Sequence, residues 1–407
     1  MKLKRKLLSM LVAAACGLGA AAAQAQVSDG VVKIGVLTDM SGVYADIAGP
    51  GSVLAAKMAV EDFGAAAKGM KVEVVSADHQ NKPDVGSTIA RTWYDVDKVD
   101  AIFDTPTSSV ALAVNQITRD KGKAFVNTGA GTSDLTGKAC SPNTVHWLYD
   151  TWMLANSTGS AIVKTGGDTW FFLTADYAFG HALERDTEAV VLKSGGKVLG
   201  KVRTPFPTSD FSSFLLQAQA SKAKIIGLAN AGGDMINSIK QAAEFGITQG
   251  GQNVAGLLVF LSDVHGLGLS TAQGLLLTET FYWDLNEQTR AWSKRFAAAN
   301  GGKYPSSNHA GVYAAVLHYL KAVEAAKTDD GTKVVAKMKE LPTDDPLFGK
   351  GTIRADGRKI HPAYLFEVKK PSESKGPWDY YKLRATIPAE QAFRPIDQGE
   401  CPLVAKK

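Results

Sequence analysis

Two stretches decide the fold: Ala101-Ile-Phe-Asp-Thr-Pro-Thr-Ser-Ser-Val110 and Ala124-Phe-Val-Asn-Thr-Gly-Ala-Gly-Thr-Ser-Asp-Leu-Thr136. Each is a short apolar run that stops at small hydroxyl and glycine residues. The first gives way to a helix with the stripe Val110, Val114 and Ile117, for which Ser108 or Ser109 can serve as N-cap. In a parallel sheet such loops lie side by side at the carboxyl ends of the strands. There they offer hydroxyls, backbone N–H groups and a helix N-terminus to an anion.

The same alternation continues on either side. Val31–Leu37 reads as a strand buried on both faces, and Lys71–Ser76 as a second. Between them Val53, Ala56, Val60 and Phe63 recur at helical spacing. Pro83 opens a helix that runs to about Val96. A second series has strands at Trp170–Thr174, Lys197–Arg203, Lys224–Ala229 and Val254–Phe260, with helices between them. The last strand empties into a loop over Leu261–Leu269. Three helices and three β segments complete the chain. Strands alternating with helices predict an α/β fold with two doubly wound lobes.

The N-terminus carries Lys2, Lys4, Arg5 and Lys6, then an apolar run to Ala23 and the site Ala23-Gln24-Ala25. This pattern predicts a signal peptide over 1–25. Cys16 raises a lipoprotein alternative, although Ala13-Ala14-Ala15 before it contains no leucine. The four leader cations account for all but one of the +5 net charge. A nucleic-acid partner is therefore not expected. Past the leader no stretch is apolar and long enough to span a membrane. Cys140 and Cys401 are the two remaining cysteines. In an oxidising compartment they read as a disulfide tying the tail to the first half; a free catalytic thiol is the competing reading.

Catalytic patterns are missing. There is no Walker A sequence, G-x-S-x-G elbow or H-E-x-x-H pair, and the seven histidines are scattered. Gly129-Ala-Gly131 is a fragment of a dinucleotide fingerprint without its third glycine. No cofactor, metal or enzymatic activity is expected.

The anchors Ile34–Gly42, Asp104–Ser109, Gly129–Thr136, Tyr177–Gly180 and Gln241–Gly246 occur in a characteristic order. In them the chain resembles type I periplasmic binding proteins of the leucine/isoleucine/valine-binding family, the solute-binding subunits of hydrophobic amino-acid ABC importers. The resemblance implies two lobes joined by three crossovers near 148, 279 and 357. The first would hold 26–148 and 280–357, the second 149–279 and 358–407. It also implies a monomer in the periplasm that closes on its ligand and docks on an inner-membrane ABC permease.

Site residues follow from the same resemblance. Ser108, with Ser109 beside it, matches the serine that binds a ligand carboxylate. Gly129, Ala130 and Gly131 match the second anion loop, but its threonine falls on Gly131, and Thr132 comes one later. Phe179 stands where amino-acid binders usually carry tyrosine. Ile47 occupies the place of a first-loop aromatic, with Tyr44 nearby. The acidic partner of an α-ammonium aligns loosely with 261–263, where Asp263 is the only charged candidate. The second lobe would close through Phe179 and the loops around Asn230 and Asp263. These departures point towards the branch that binds aromatic carboxylates, with Tyr44, Trp147, Tyr149, Phe179, Tyr282 or Trp283 stacking on a ring. A ligand sensor for a membrane receptor would use the same fold. An exported hydrolase would need a nucleophile–base pair in the cleft.

Overall fold

The computed structural model describes residues 27–404. The expected signal peptide and Cys16 lie outside the described residues. The first series runs β1 (Val32–Thr38), α1 (Gly49–Phe63), β2 (Val72–Asp78), α2 (Pro83–Asp95), β3 (Ala101–Asp104), α3 (Ser108–Lys121), β4 (Ala124–Asn127) and β5 (Thr144–His146). Its strands form a parallel sheet in the order β2-β1-β3-β4-β5. Order reverses at β1, so the loops after β1 and β3 flank one crevice, where ligands of doubly wound sheets bind.

A helical stretch follows: α4 (Thr151–Leu154), one π turn and α5 (Ser160–Lys164). Then come β6 (Thr169–Ala175), α6 (Ala178–Lys193), β7 (Lys197–Thr204), α7 (Ser212–Ala220), β8 (Ile225–Ala229), α8 (Gly232–Glu244) and β9 (Asn253–Gly256). These strands form a second parallel sheet, β7-β6-β8-β9. Helices α9 (Leu261–Leu267) and α10 (Leu269–Ala272) lead to β10 (Leu276–Glu279). The expected strand over 254–260 thus stops at Gly256, and the expected loop after it is helical. The Asp263 carboxylate accepts the Phe260 N–H at 2.9 Å, which caps the first turn of α9.

Helices α11 (Glu287–Ala299), α12 (Ser307–Ala326) and α13 (Gly331–Glu340) return to the first sheet, with α12 against α1. On α1 the buried face is Ala55, Ala56, Met58, Ala59 and Phe63, while Val53 and Val60 are half-buried. The small residues let α12 approach, which rotates the expected stripe. Three short strands, β11 (Thr343–Asp345), β12 (Gly349–Ile353) and β13 (Lys359–Ile360), form an antiparallel sheet. Strands β14 (Ala363–Val368) and β15 (Tyr381–Ile387) pair antiparallel beside β10, before a last short helix, α14 (Ala389–Ala392).

Two ties join distant parts of the chain. Arg358 is fully buried and donates to Asp150 at 3.1 Å, to the His146 carbonyl at 2.7 Å and to the Leu148 carbonyl. Cys140 and Cys401 form a disulfide with Cα atoms 5.6 Å apart. The tail is further anchored by Arg394, which donates to the Ser133 carbonyl at 3.1 Å.

Candidate functional site

The site begins where β3 ends. Asp104 and Thr105 have φ of 76° and 61°. Two consecutive left-handed residues without glycine cost about 1–3 kcal/mol each, and a β-branched threonine is the rarer of the pair. Surrounding bonds impose them. Asn308 Nδ2 donates to Asp104 Oδ1 at 2.9 Å, and Asn127 Nδ2 donates to the carbonyls of Asp104 at 3.0 Å and Thr105 at 3.2 Å. Burial pushes the Asp104 carboxyl pKa up. The turn places Pro106 in the cleft and starts α3 at Ser108.

Neither serine is the cap expected from sequence. Thr107 is the N-cap residue and gives no side-chain cap; its hydroxyl bonds to Asn81 instead. Ser108 is fully buried, and its Oγ accepts the Thr132 N–H at 3.2 Å. Ser108 therefore ties the loop after β3 to the loop after β4. Ser109 is half-buried and outside the cleft lining. The Thr132 hydroxyl caps its own loop by accepting the Asp134 N–H at 3.3 Å.

Gly131 has a steric cause. A Cβ there would lie 2.9 Å from Phe179 Cε2 and 3.1 Å from Tyr149 Cε2. The ring on the second half occupies the space that a threonine would need. The Gly129 carbonyl accepts the Tyr149 hydroxyl. Ala130 is buried in the core of the first half, away from the cleft.

From the first half the cleft is lined by Tyr44, Ile47, Pro106, Gly129, Gly131 and Asn308. Tyr149, Tyr177, Phe179, Ala231, Leu258 and Phe260 complete the wall. None of these carries a formal charge. Rings meet across the opening. Tyr177 stacks on Phe206 at 4.0 Å, Tyr44 lies 5.7 Å from Phe206, and the hydroxyls of Tyr44 and Tyr177 are hydrogen-bonded. Burial raises the pKa of both phenols, so they act as neutral hydrogen-bonding groups. About 10 Å³ is open to the centre of a water-sized sphere, room for roughly one water.

The halves also touch through backbone. Gly233 N–H, in the first turn of α8, donates to the Val43 carbonyl at 3.1 Å. Its neighbour Gly232 has φ of 58°, and a Cβ there would sit 2.4 Å from that carbonyl oxygen. Asp39 supports the first loop by accepting N–H groups of Gly42 at 2.7 Å and Tyr44 at 2.9 Å.

Several expected residues lie elsewhere. Asp263 is engaged by the α9 cap and does not line the cleft; burial raises its carboxyl to about 7. Asn230 donates to Ser238 Oγ at 2.9 Å, behind Ala231. Trp147, Tyr282 and Trp283 pack outside the lining. Sequence reasoning missed Pro106, Asn308, Tyr177, Ala231, Leu258 and Phe260 as lining groups. Tyr177 sits in an anchor motif, which is a usable signal. Asn308 and Leu258 reach the cleft only through the fold.

The periplasmic binding protein family model matches residues 31–376. The chain belongs to this family. A periplasmic binding protein from Burkholderia mallei is 55% identical, with a TM-score of 0.89 over 92% of this chain and 99% of that one. A branched chain amino acid ABC transporter periplasmic ligand-binding protein from Burkholderia xenovorans LB400 is 44% identical, with a TM-score of 0.80 over 91% of this chain and 99% of that one. A solute binding protein of an ABC transporter from R. palustris, solved in complex with benzoate, shares the fold: 22% identity and a TM-score of 0.78 over 88% of this chain and 97% of that one. This periplasmic binding protein thus has the α/β fold with parallel sheets expected from its sequence.

Proposed function

We propose that this periplasmic binding protein captures a small apolar carboxylic acid, aromatic in preference to α-amino, and presents it to an inner-membrane ABC permease. One observation carries the ligand class. The cleft is walled by rings, small residues and one amide, without a charged side chain. An α-ammonium closed into it would lie without a carboxylate partner, at a cost of several kcal/mol. A carboxylate is better served. The first-turn N–H groups of α3 have no partner within the helix, and the loop 129–132 brings further N–H groups beside them. The rings then cover the ligand's apolar body.

In this reading the leader 1–25 is removed on export, and the mature chain works as a monomer and a carrier rather than an enzyme. The lobes are 26–148 with 280–357, and 149–279 with 358–407, the segment beyond Pro388 leaning back on the first lobe. Closure brings Tyr177, Phe179 and Ala231 onto the anion loops. A hydrophobic amino acid is the second reading, favoured by the Burkholderia xenovorans relative, a periplasmic ligand-binding protein of a branched chain amino acid ABC transporter.

A thermal-shift series tests this. Benzoate and hydroxylated benzoates should raise Tm, since a ligand of the native state alone stabilises it. Leucine or phenylalanine shifting Tm while the benzoates do not would reverse the order of the two readings. Exclusive stabilisation by free sugars would sink the carboxylate site.

A further inference from the structure

A second cavity opens between the two halves on the far side of the first loop. Its volume is about 340 Å³, within the size range of small-molecule sites. Of the residues lining the cleft, Ile47 alone also lines this cavity. Its most unusual residue is Trp378, whose φ is 71°. A bulky residue in that region is an outlier, and such strain persists where the surroundings over-determine it, as at ligand clamps. Three donors hold the Trp378 carbonyl: the Tyr282 hydroxyl at 3.1 Å, Trp283 Nε1 at 2.8 Å and the Tyr380 N–H at 3.1 Å. The indole is backed by His265, with centroids 4.0 Å apart and planes 9° from parallel. His265 is itself fixed, its Nδ1 bonded to the Tyr380 hydroxyl at 2.7 Å. Backbone, carbonyl and ring are thus all held in place.

The ring opposite is Tyr304, 6.2 Å away and 28° from parallel. Tyr304 belongs to the α11–α12 connection. That connection grips the first loop, through Lys303 to Asp46 at 3.2 Å and Ser306 Oγ to the Ile47 carbonyl at 2.6 Å. Trp378 belongs to the β14–β15 connection beside the second sheet. Two rings on opposite sides of the closure therefore face one another, one of them rigidly mounted. At the rim Lys303 and Asp46 pair with each other, and the Asp263 carboxyl that also lines the cavity is engaged by the Phe260 N–H.

We infer that this cavity is a second binding site, for an uncharged planar aromatic ring packed against the Trp378 and Tyr304 side chains that line it. It does not depend on the ligand proposed for the cleft. Indole is a suitable probe, followed by isothermal titration calorimetry on the full mature chain. Saturable one-to-one binding is expected. Tyr304→Ala and Trp378→Gly should each weaken it about tenfold or more, the latter with a backbone that tolerates the same φ. Phe179→Ala, in the cleft, should leave indole binding unchanged. Circular dichroism identifies a misfolded variant, in which case the Tyr304 variant decides. Absence of saturable binding by the wild type would overturn the inference. So would binding that survives Tyr304→Ala, or binding lost only in Phe179→Ala.

Discussion

The ring of Phe179 lies 2.9 Å from the point where a Cβ on Gly131 would stand. The glycine and the ring are therefore one feature contributed from two halves of the molecule. Restoring the hydroxyl by Gly131→Thr should overpack the closed cleft by about 1–3 kcal/mol and weaken ligand capture accordingly. Adding Phe179→Ala should recover part of the loss. Calorimetric affinities for the four members of this cycle test the coupling, and additive effects would deny it.

Ser108→Ala removes the acceptor of a buried N–H. Leaving the Thr132 amide unpaired should cost about 1–3 kcal/mol and lower Tm. Carboxylate affinity should fall with it, because the loops after β3 and β4 lose their tie. A lower Tm with unchanged affinity would leave Ser108 a purely structural role.

Breaking the disulfide should be expensive. Cys140 and Cys401 are 261 residues apart, so the bridge restricts most of the unfolded chain. Cys401→Ser should destabilise by about 2–5 kcal/mol. Denaturant titrations of the two proteins give the difference. Peptide mapping of unreduced protein should find the two cysteines joined, and two alkylatable thiols would contradict the bridge.

Asp234 predicts a pH response. Burial raises its carboxyl to about 7 in the fold, against about 3.9 for an unfolded aspartate. Between these values the folded state binds more protons, so this group's contribution falls as pH rises from about 4 to about 7 and is flat above. His309 and His318, lowered to about 4 by burial, act in the opposite sense over the acidic part of that range. The Asp234→Asn variant isolates the effect. Its stability relative to wild type should climb as pH goes from about 4 to about 7 and level off above. A constant difference would assign the shift to something else.

The βα alternation was legible because strands buried on both faces read as apolar runs, and Gly, Pro and Ser punctuate their ends. The helical stretch from Thr151 to Lys164 was not. Its Ala155-Asn-Ser-Thr-Gly159 segment forms the π turn and has no apolar period to reveal it. The strand expected through Phe260 failed for a related reason: Leu257–Leu261 is apolar throughout, and periodicity alone does not tell a strand from a buried helix start. In the cleft, Tyr44, Ile47, Gly129, Gly131 and Phe179 were named from the chain and do line it. Asp263 was misleading, since a carboxylate three residues into a helix caps as readily as it binds. Asn308 is 204 residues from Asp104, and only the fold makes them partners.

The bridge between Cys140 and Cys401 has a consequence for how the chain is made. Synthesis delivers Cys140 261 residues ahead of its partner. Until the ribosome has passed residue 401, this cysteine has no native mate. Any product cut short before residue 401 keeps a thiol at Cys140 that the bridged molecule does not have there. Oxidation state at one position thus reports whether the chain was read past residue 401.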